Sequence, residues 1–218
     1  MDELKQAKME KRCRGRPQVR SDEETKTVIL SAAEEQFRKD GYASASISDI
    51  AKAAGVSTKT LYRLFPAKPD LFSDVISMRI HEYILAIDTE EMTQTPLVES
   101  LEKVLAAYGR LTLSLDTVAM TRLVFSECGR FPELAAVFYE RAIRRTSTAI
   151  ESWLRKRVSL GELRLENIAE ATGMLRGMMA MEPQRALMLG QVQIVSEPEI
   201  VARAKSCAAL FLAGCSAR

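Results

Sequence analysis

Residues 46–68, SISDIAKAAGVSTKTLYRLFPAK, constrain the fold of this chain more tightly than any other stretch. Ser46 is placed to cap a helix, because its hydroxyl can accept from the free N–H groups of a first turn. Asp49 follows three residues on, so Ser46–Asp49 approximates a capping box with Asp where Glu or Gln is preferred. Ile47, Ile50, Ala51 and Ala54 fall at i, i+3, i+4 and i+7 and make one apolar stripe. Ala51 is small enough for a second helix to approach closely. Gly55 then stops the first helix, since glycine reaches a positive φ without steric cost. Val56 faces back into the core. Ser57 caps a second helix, anchored from below by Leu61 and Leu64 or Phe65. The pattern predicts a helix-turn-helix, whose second helix lies in a DNA major groove. An ordinary helical hairpin with a solvated polar face accounts for any one of these features. The glycine turn, the two serine caps and the apolar stripe together favour DNA binding.

That geometry leaves Thr58, Lys59, Thr60, Tyr62 and Arg63 on the outer side of the second helix. Short hydroxyl side chains at a helix start approach phosphates and bases closely. Lys59 and Arg63 add positive charge, and Tyr62 can set its hydroxyl on a phosphate while its ring packs. Lys68 opens the next helix, where its ammonium and the free N–H groups can meet the DNA backbone together. Ser46, Ser57, Thr58, Lys59, Thr60, Tyr62, Arg63 and Lys68 are therefore the expected DNA contacts of this unit.

The segment from about Asp22 to Asp74 resembles the N-terminal domain of TetR/AcrR-type transcriptional regulators. The residues that carry the resemblance are Ile29–Ala33, Phe37, Gly41-Tyr42, Asp49-Ile50-Ala51, Ala54–Ser57, Thr60-Leu61-Tyr62, Phe65, Lys68 and Leu71. It implies an all-α repressor fold, a homodimer, and a ligand pocket in the remaining residues. The chain departs from the family's pattern at Leu64, at Ala67, where a Ser or Asn cap is common, and at Ala45 and Ser48.

Composition agrees with a helical protein. The chain has 218 residues, of which 47% are hydrophobic, enough for a sizeable core. Ala, Leu, Glu and Arg dominate, and alternating strand-like runs are absent. No apolar run approaches the roughly 18 residues of a membrane span, and the charged N-terminus has no signal-peptide core. These features place the protein in the cytoplasm, with no membrane partner. The four cysteines have no metal-ligand spacing and there is one histidine, His81, so no metal, cofactor or disulfide framework is expected. One histidine also leaves no Ser-His-Asp or Cys-His arrangement, and no phosphate-binding glycine loop is present, so an enzyme is not expected.

Net charge is +2, unevenly spread. Residues 1–20 hold seven basic side chains against three acidic ones, +4, which leaves −2 for the rest. Within this arm Arg14-Gly15-Arg16-Pro17 looks like the core of an AT-hook. Gly and Pro keep it extended, and Arg14 and Arg16 fit the narrow, negative minor groove of A/T-rich DNA. A solubilising tail is the plainer alternative.

Nine helices are expected. The first starts after Ser21, with Glu24 completing a capping box, buries Ile29, Ala33 and Phe37, and ends at Asp40-Gly41. The second and third form the motif. The fourth runs from about Lys68 to Asp88 and is long enough to link two domains. A loop covers Asp88–Pro96. The fifth spans Leu97–Leu115, the sixth Thr117–Cys128, and the seventh Pro132–Val158. The eighth spans Asn167–Leu189 with a kink or break at Pro183, and the ninth runs from Ser196 to Cys215. The domains are then a basic arm (1–20), a DNA-binding unit (21–67), a connecting helix (68–88), and a ligand-binding and dimerisation domain (89–218).

The stretch from Arg122 to Tyr139 resembles one branch of TetR-type C-terminal domains, more loosely than the first match. By that resemblance helices 5–7 surround a pocket, and helices 8 and 9 pair with their copies in a four-helix bundle. Pocket candidates are Tyr83, Tyr108, Met120, Phe125, Cys128, Phe138 and Trp153, each also explicable as ordinary core. Few charges appear among them, so the expected effector is apolar or aromatic. Interface candidates are Gly173, Gly177, Ala180 and Met181 on helix 8, with Ala209 and Leu210 on helix 9. His81 could bind a ligand or act as a structural histidine. The expected function is a repressor that binds a pseudo-palindromic operator in double-stranded DNA as a homodimer and is released by a small effector. The alternatives are a constitutive or architectural DNA-binding protein, and a helical interaction protein without effector. Deleting residues 1–17 is expected to weaken operator binding and flatten its salt dependence; an unchanged affinity and salt slope in the truncated chain would rule out contact by the arm.

Overall fold

The structure, a computed structural model, describes residues 20–87, 92 and 94–215. The basic arm with Cys13, Arg14 and Arg16, and most of the connection after Ile87, lie outside the described residues. Among those described the chain is all helix. The first four elements are α1 (Asp22–Ser44), α2 (Ile47–Ala53), α3 (Thr58–Leu64) and α4 (Lys68–Ile87). Then come α5 (Leu97–Thr112) and α6 (Leu115–Glu127). Helix α7 consists of Pro132–Phe138, a π-helical stretch Tyr139–Arg144, and Arg145–Ser159. Helix α8 has the same construction: Ile168–Arg176, a π stretch Gly177–Met181, and Glu182–Met188. Helix α9 is Glu197–Cys215.

Side-chain caps set most starts. Ser21 Oγ accepts from the Glu24 N–H at 3.1 Å, and the Glu24 carboxylate accepts from the Ser21 N–H at 2.7 Å. Ser114 Oγ accepts from the Thr117 N–H at 3.2 Å, so α6 begins at Leu115, two residues earlier than expected, and α5 stops at Thr112. Helix α4 has no capping side chain at Ala67, yet Asp70 reaches back to accept from the Ala67 N–H at 3.1 Å. Helix α1 kinks at Gly41 instead of ending at Asp40-Gly41 as expected: Gly41 takes φ 80° and ψ 166°, and one further turn, ending at Ser44, follows.

Pro183 does not break α8. A proline offers no N–H to the carbonyl four residues back, here Met179. The π stretch just before it opens the ladder, and Arg203 of α9 donates its Nε to the carbonyls of Met178 (3.0 Å) and Met179 (2.9 Å). The carbonyl that the proline orphans thus has a donor from another helix.

The apolar side chains form two cores. One gathers α1–α4 around Ile29, Phe37, Ile50, Leu61, Phe65 and Phe72, and takes in Met120, Val124, Leu134 and Phe138 from α6 and α7. Phe37, Tyr42 and Phe72 pack at ring-centroid distances of 5.5–5.7 Å, and Phe131 adds its edge to Tyr42 at 5.4 Å. The other core joins α5, α7, α8 and α9 through Leu101, Leu105, Ile150, Leu154, Leu175 and Ala208. A buried cation braces this second core. Arg157, 1% exposed, donates to the carbonyls of Met92 (2.6 Å) and Thr95 (2.8 Å) and to Ser100 Oγ (2.8 Å), and pairs with Glu162 at 2.9 Å. Every contact satisfies a desolvated donor, which is the condition for burying a guanidinium.

Gly109 fixes how closely α5 meets α8 and α9. A Cβ there would lie 2.5 Å from Met179 Cε and 2.9 Å from Ile200 Cγ2. The methionine end can yield, but the branched isoleucine carbon is held in the core. Gly109→Val is expected to destabilise the fold by about 1–3 kcal/mol, read as a lower thermal midpoint by far-UV circular dichroism; an unchanged midpoint would refute this account of the contact.

Candidate DNA-reading surface and interior cavity

The turn between α2 and α3 is a Schellman motif. The Val56 N–H donates to the Ala51 carbonyl at 2.9 Å and the Gly55 N–H to the Lys52 carbonyl at 3.1 Å, with Gly55 at φ 67°. A Cβ on Gly55 would touch nothing within 4 Å, so glycine is needed there for its backbone conformation and not for space. Ile50, Ala51, Ala54, Leu61 and Phe65 are buried beneath the motif. Ser57, Thr58, Lys59, Tyr62 and Arg63 are exposed along α3, and Thr60 is half-buried. Ser57 Oγ accepts from the Thr60 N–H and shares a 2.9 Å hydrogen bond with Thr60 Oγ1. Ser46 is committed to its own cap through Asp49.

Two charged expected contacts, Arg63 and Lys68, are also engaged within the chain. Arg63 was expected free on the outer face; instead its guanidinium makes a bidentate pair with Asp22 at 2.7 and 2.8 Å, tying α3 to the start of α1. The carboxylate holds the Arg63 pKa above its usual value. Lys68 turns its ammonium inward, 3.3 Å from the Ala43 carbonyl and 4.6 Å from the Tyr42 ring centroid. Partial burial there lowers its pKa.

The same turn of α1 is held from below. Glu127, at the end of α6, accepts from the N–H groups of Tyr42 (3.1 Å) and Ala43 (3.4 Å). A Cβ on Gly41 would stand 3.0 Å from that carboxylate. Glycine at 41 therefore serves the kink and also leaves room for Glu127.

A cavity of about 300 Å³ lies between α1, α4, α5, α6, α7 and α8. Val75, Ile76, Ile80, Leu111, Met120, Phe138 and Ile143 make its apolar wall. Both π stretches face it, through Ala142 and Ile143 on α7 and Gly177, Ala180 and Met181 on α8. A π turn widens a helix by one residue, and such turns gather at binding sites. Of the expected pocket residues, Tyr108, Met120, Phe125 and Phe138 line this cavity. Tyr83, Cys128 and Trp153 do not. Tyr83 is buried against Tyr108 with ring centroids 6.1 Å apart, and burial raises its pKa. Cys128 caps α6, its thiol turned to the Phe125 carbonyl. Trp153 donates its indole N–H to Ser100 at 2.9 Å and lines a second cavity of about 520 Å³ beside Ile87, Met92 and Lys156. His81 is exposed and lines neither.

Sequence reasoning missed the cavity's charges. Arg79 donates to Glu34 on α1 at 2.8 Å and to Asp116 on α6 at 2.7 Å, and all three side chains line the wall. Arg176 and Gln184 line it as well. A signal existed: Arg79 stands one turn from Val75 and Ile76 and beside Ile80, on the buried face of α4.

The interface candidates divide. Met181, Ala209 and Leu210 are exposed, as are Met174 and Ile194. Ala180 is covered by its own chain at the cavity wall, because α8 turns it inward toward α5. Gly173 and Gly177 also border the cavity, with open space where a Cβ would be.

No helix among the described residues is long and apolar enough to cross a membrane. Residues 29–75 match the family described as bacterial regulatory proteins, tetR family, and residues 99–215 match the AefR-like transcriptional repressor C-terminal domain. The regulator TtgR of Pseudomonas putida is 24% identical over 184 residues, 78% of this chain and 87% of TtgR. A TetR-family regulator from Mesorhizobium loti superposes with a TM-score of 0.78 at 23% identity, covering 91% of this chain and all of the other. The flavonoid-responsive regulator FrrA superposes with a TM-score of 0.73 at 27% identity, covering 90% of this chain and 99% of FrrA. These relatives are transcriptional regulators and not enzymes. With the C-terminal match alone spanning more than half of its length, the chain belongs to the TetR family of DNA-binding transcriptional regulators.

Proposed function

We propose that this chain is a cytoplasmic, ligand-responsive repressor that binds a pseudo-palindromic operator as a homodimer and releases it when a small molecule with an apolar or aromatic body fills the cavity. Thr58, Lys59 and Tyr62 meet the major groove, and the exposed apolar faces of α8 and α9, with Met181 and Leu210, pair with a second copy. Two recognition helices must then stand about 34–36 Å apart to enter successive grooves. Arg63 exchanges Asp22 for phosphate, since an exposed ion pair is weak in water. The likeness to FrrA supports an aromatic body for the effector.

One observation carries this reading. The cavity wall includes Glu34 of α1, Arg79 of α4 and Asp116 of α6, joined by hydrogen bonds of 2.7–2.8 Å. A ligand entering there presses on an element of the DNA-binding unit and on both helices that support it. Glu127 carries displacement of α6 to the kinked turn of α1, and α4 carries its own share directly. A ligand that favours a differently spaced dimer shifts the population away from DNA.

Selection from random duplexes, followed by gel shift, is expected to return one palindromic site. Lys59→Ala is expected to weaken binding to that site about tenfold and to lower the salt slope by about 1, with an unchanged circular dichroism spectrum. Recovery of general A/T-rich DNA, or of no DNA, would sink the operator reading. With flavonoids and related aromatics as trial effectors, Glu127→Gln is expected to reduce the ligand's effect on operator affinity about threefold or more, a fraction of a usual coupling factor. A ligand effect equal in both proteins would remove Glu127 from the path, and an operator affinity that no bound ligand alters would mark a constitutive binder.

A further inference from the structure

Resting on the effector reading above, we propose that the cavity takes a small organic carboxylate, with its anionic head on Arg176 and its apolar body against Ile76, Leu111, Met120 and Phe138. Arg176 lines the cavity from α8, one residue before the π stretch. Its Nε donates to the Tyr108 hydroxyl at 3.1 Å and its Nη1 to Ser147 Oγ at 2.7 Å, and its guanidinium carbon lies 5.5 Å from the Tyr108 ring centroid. These partners are neutral. Among the described residues no carboxylate pairs with Arg176, whereas Arg79 on the same cavity has two.

The contrast decides where an anion goes. The Arg79 corner holds two carboxylates to one guanidinium and repels negative charge. Arg176 is a partly buried cation balanced by hydroxyl dipoles alone, so its lost hydration is not recovered by an opposite charge. A guanidinium has five donors in a planar fork that matches a carboxylate. Tyr108 and Ser147 occupy two of these and fix the plane, and the Nη2 edge is left for a ligand. The two corners together set the ligand's direction in the cavity: head to α8, body toward α4 and α6.

The test pairs carboxylates with their primary amides on three bodies: 2-naphthoate, 3-phenylpropanoate and decanoate. Binding to the full-length native protein is measured by calorimetry, and operator release by gel shift. At least one carboxylate is expected to bind tenfold or more tighter than its amide. Arg176→Gln is expected to bring that ratio near one, and Arg176→Lys to keep part of it. Equal affinities within every pair in the native protein, or a ratio that survives Arg176→Gln, would overturn the proposal. If amides and carboxylates both release operator equally, the effector reading stands and the anion site falls. If carboxylates bind through Arg176 but never alter operator affinity, the site stands and the effector reading falls. Silence from all six compounds would overturn the anion site, and the flavonoid trial then decides the effector reading by itself.

Discussion

The structure depends on a carboxylate placed at a kink. Glu127 accepts from two backbone N–H groups on the turn that follows Gly41, at the far end of α6 from the Arg79 network. That turn would otherwise leave its first N–H groups without partners, as any helix start does. Its own side chains cannot cap it, because Gly41 has none. The cap comes from 85 residues away in sequence, and so the DNA-binding unit is not finished until α6 has docked. Lys68 closes the same turn from the other side, through the Ala43 carbonyl. A charged hydrogen bond of this kind contributes about 1.5–3 kcal/mol. That is the scale of a typical coupling energy between two sites, about 1–3 kcal/mol.

The apolar packing obeys the same logic. Met120 and Val124 of α6 and Leu134 and Phe138 of α7 belong to the core under α1–α4, and Phe131 meets Tyr42 edge-on. Met120 and Phe138 also line the cavity. Close-packed side chains transmit small displacements instead of absorbing them. Whatever enters the cavity therefore touches residues that are already part of the DNA-binding unit's own core.

The parts of this arrangement that depend on near neighbours were legible in the sequence. Serine caps at 21, 46 and 57 and the glycine stop at 55 are decided within four residues, and each stands where the sequence places it; Gly41 likewise breaks the helical conformation, though one more turn follows it. The exposed row along α3 follows from helical spacing alone. Illegible were the pairings made across the chain. Arg63 finds Asp22 over 41 residues, and neither residue's neighbours announce the other. The π stretches were hidden as well, since nothing in Tyr139–Arg144 or Gly177–Met181 departs from ordinary helical composition. Pro183 predicts a kink or break, and the π stretch before it together with Arg203 on a separate helix explains why α8 continues. For the cavity, apolar side chains at helical spacing served core and pocket equally well, so Tyr83 and Trp153 could not be told from Tyr108 and Phe138.

The charges of the cavity show what size and hydropathy leave out. An apolar wall of about 300 Å³ admits many small molecules with similar gains from burial. Discrimination among them has to come from the few polar groups that would be left unsatisfied by the wrong ligand. Here these groups are of unlike kinds: a saturated triad on one side, and on the other a guanidinium held by hydroxyls. The triad spans α1, α4 and α6, so its integrity reports on how those helices sit. Arg176 joins α8 to α5 and α7 through Tyr108 and Ser147. The two corners of one cavity therefore differ both in charge balance and in the helices they join. In the proposed reading a ligand headed at Arg176 meets the DNA-binding unit through Met120 and Phe138, which line the cavity and belong to that unit's core.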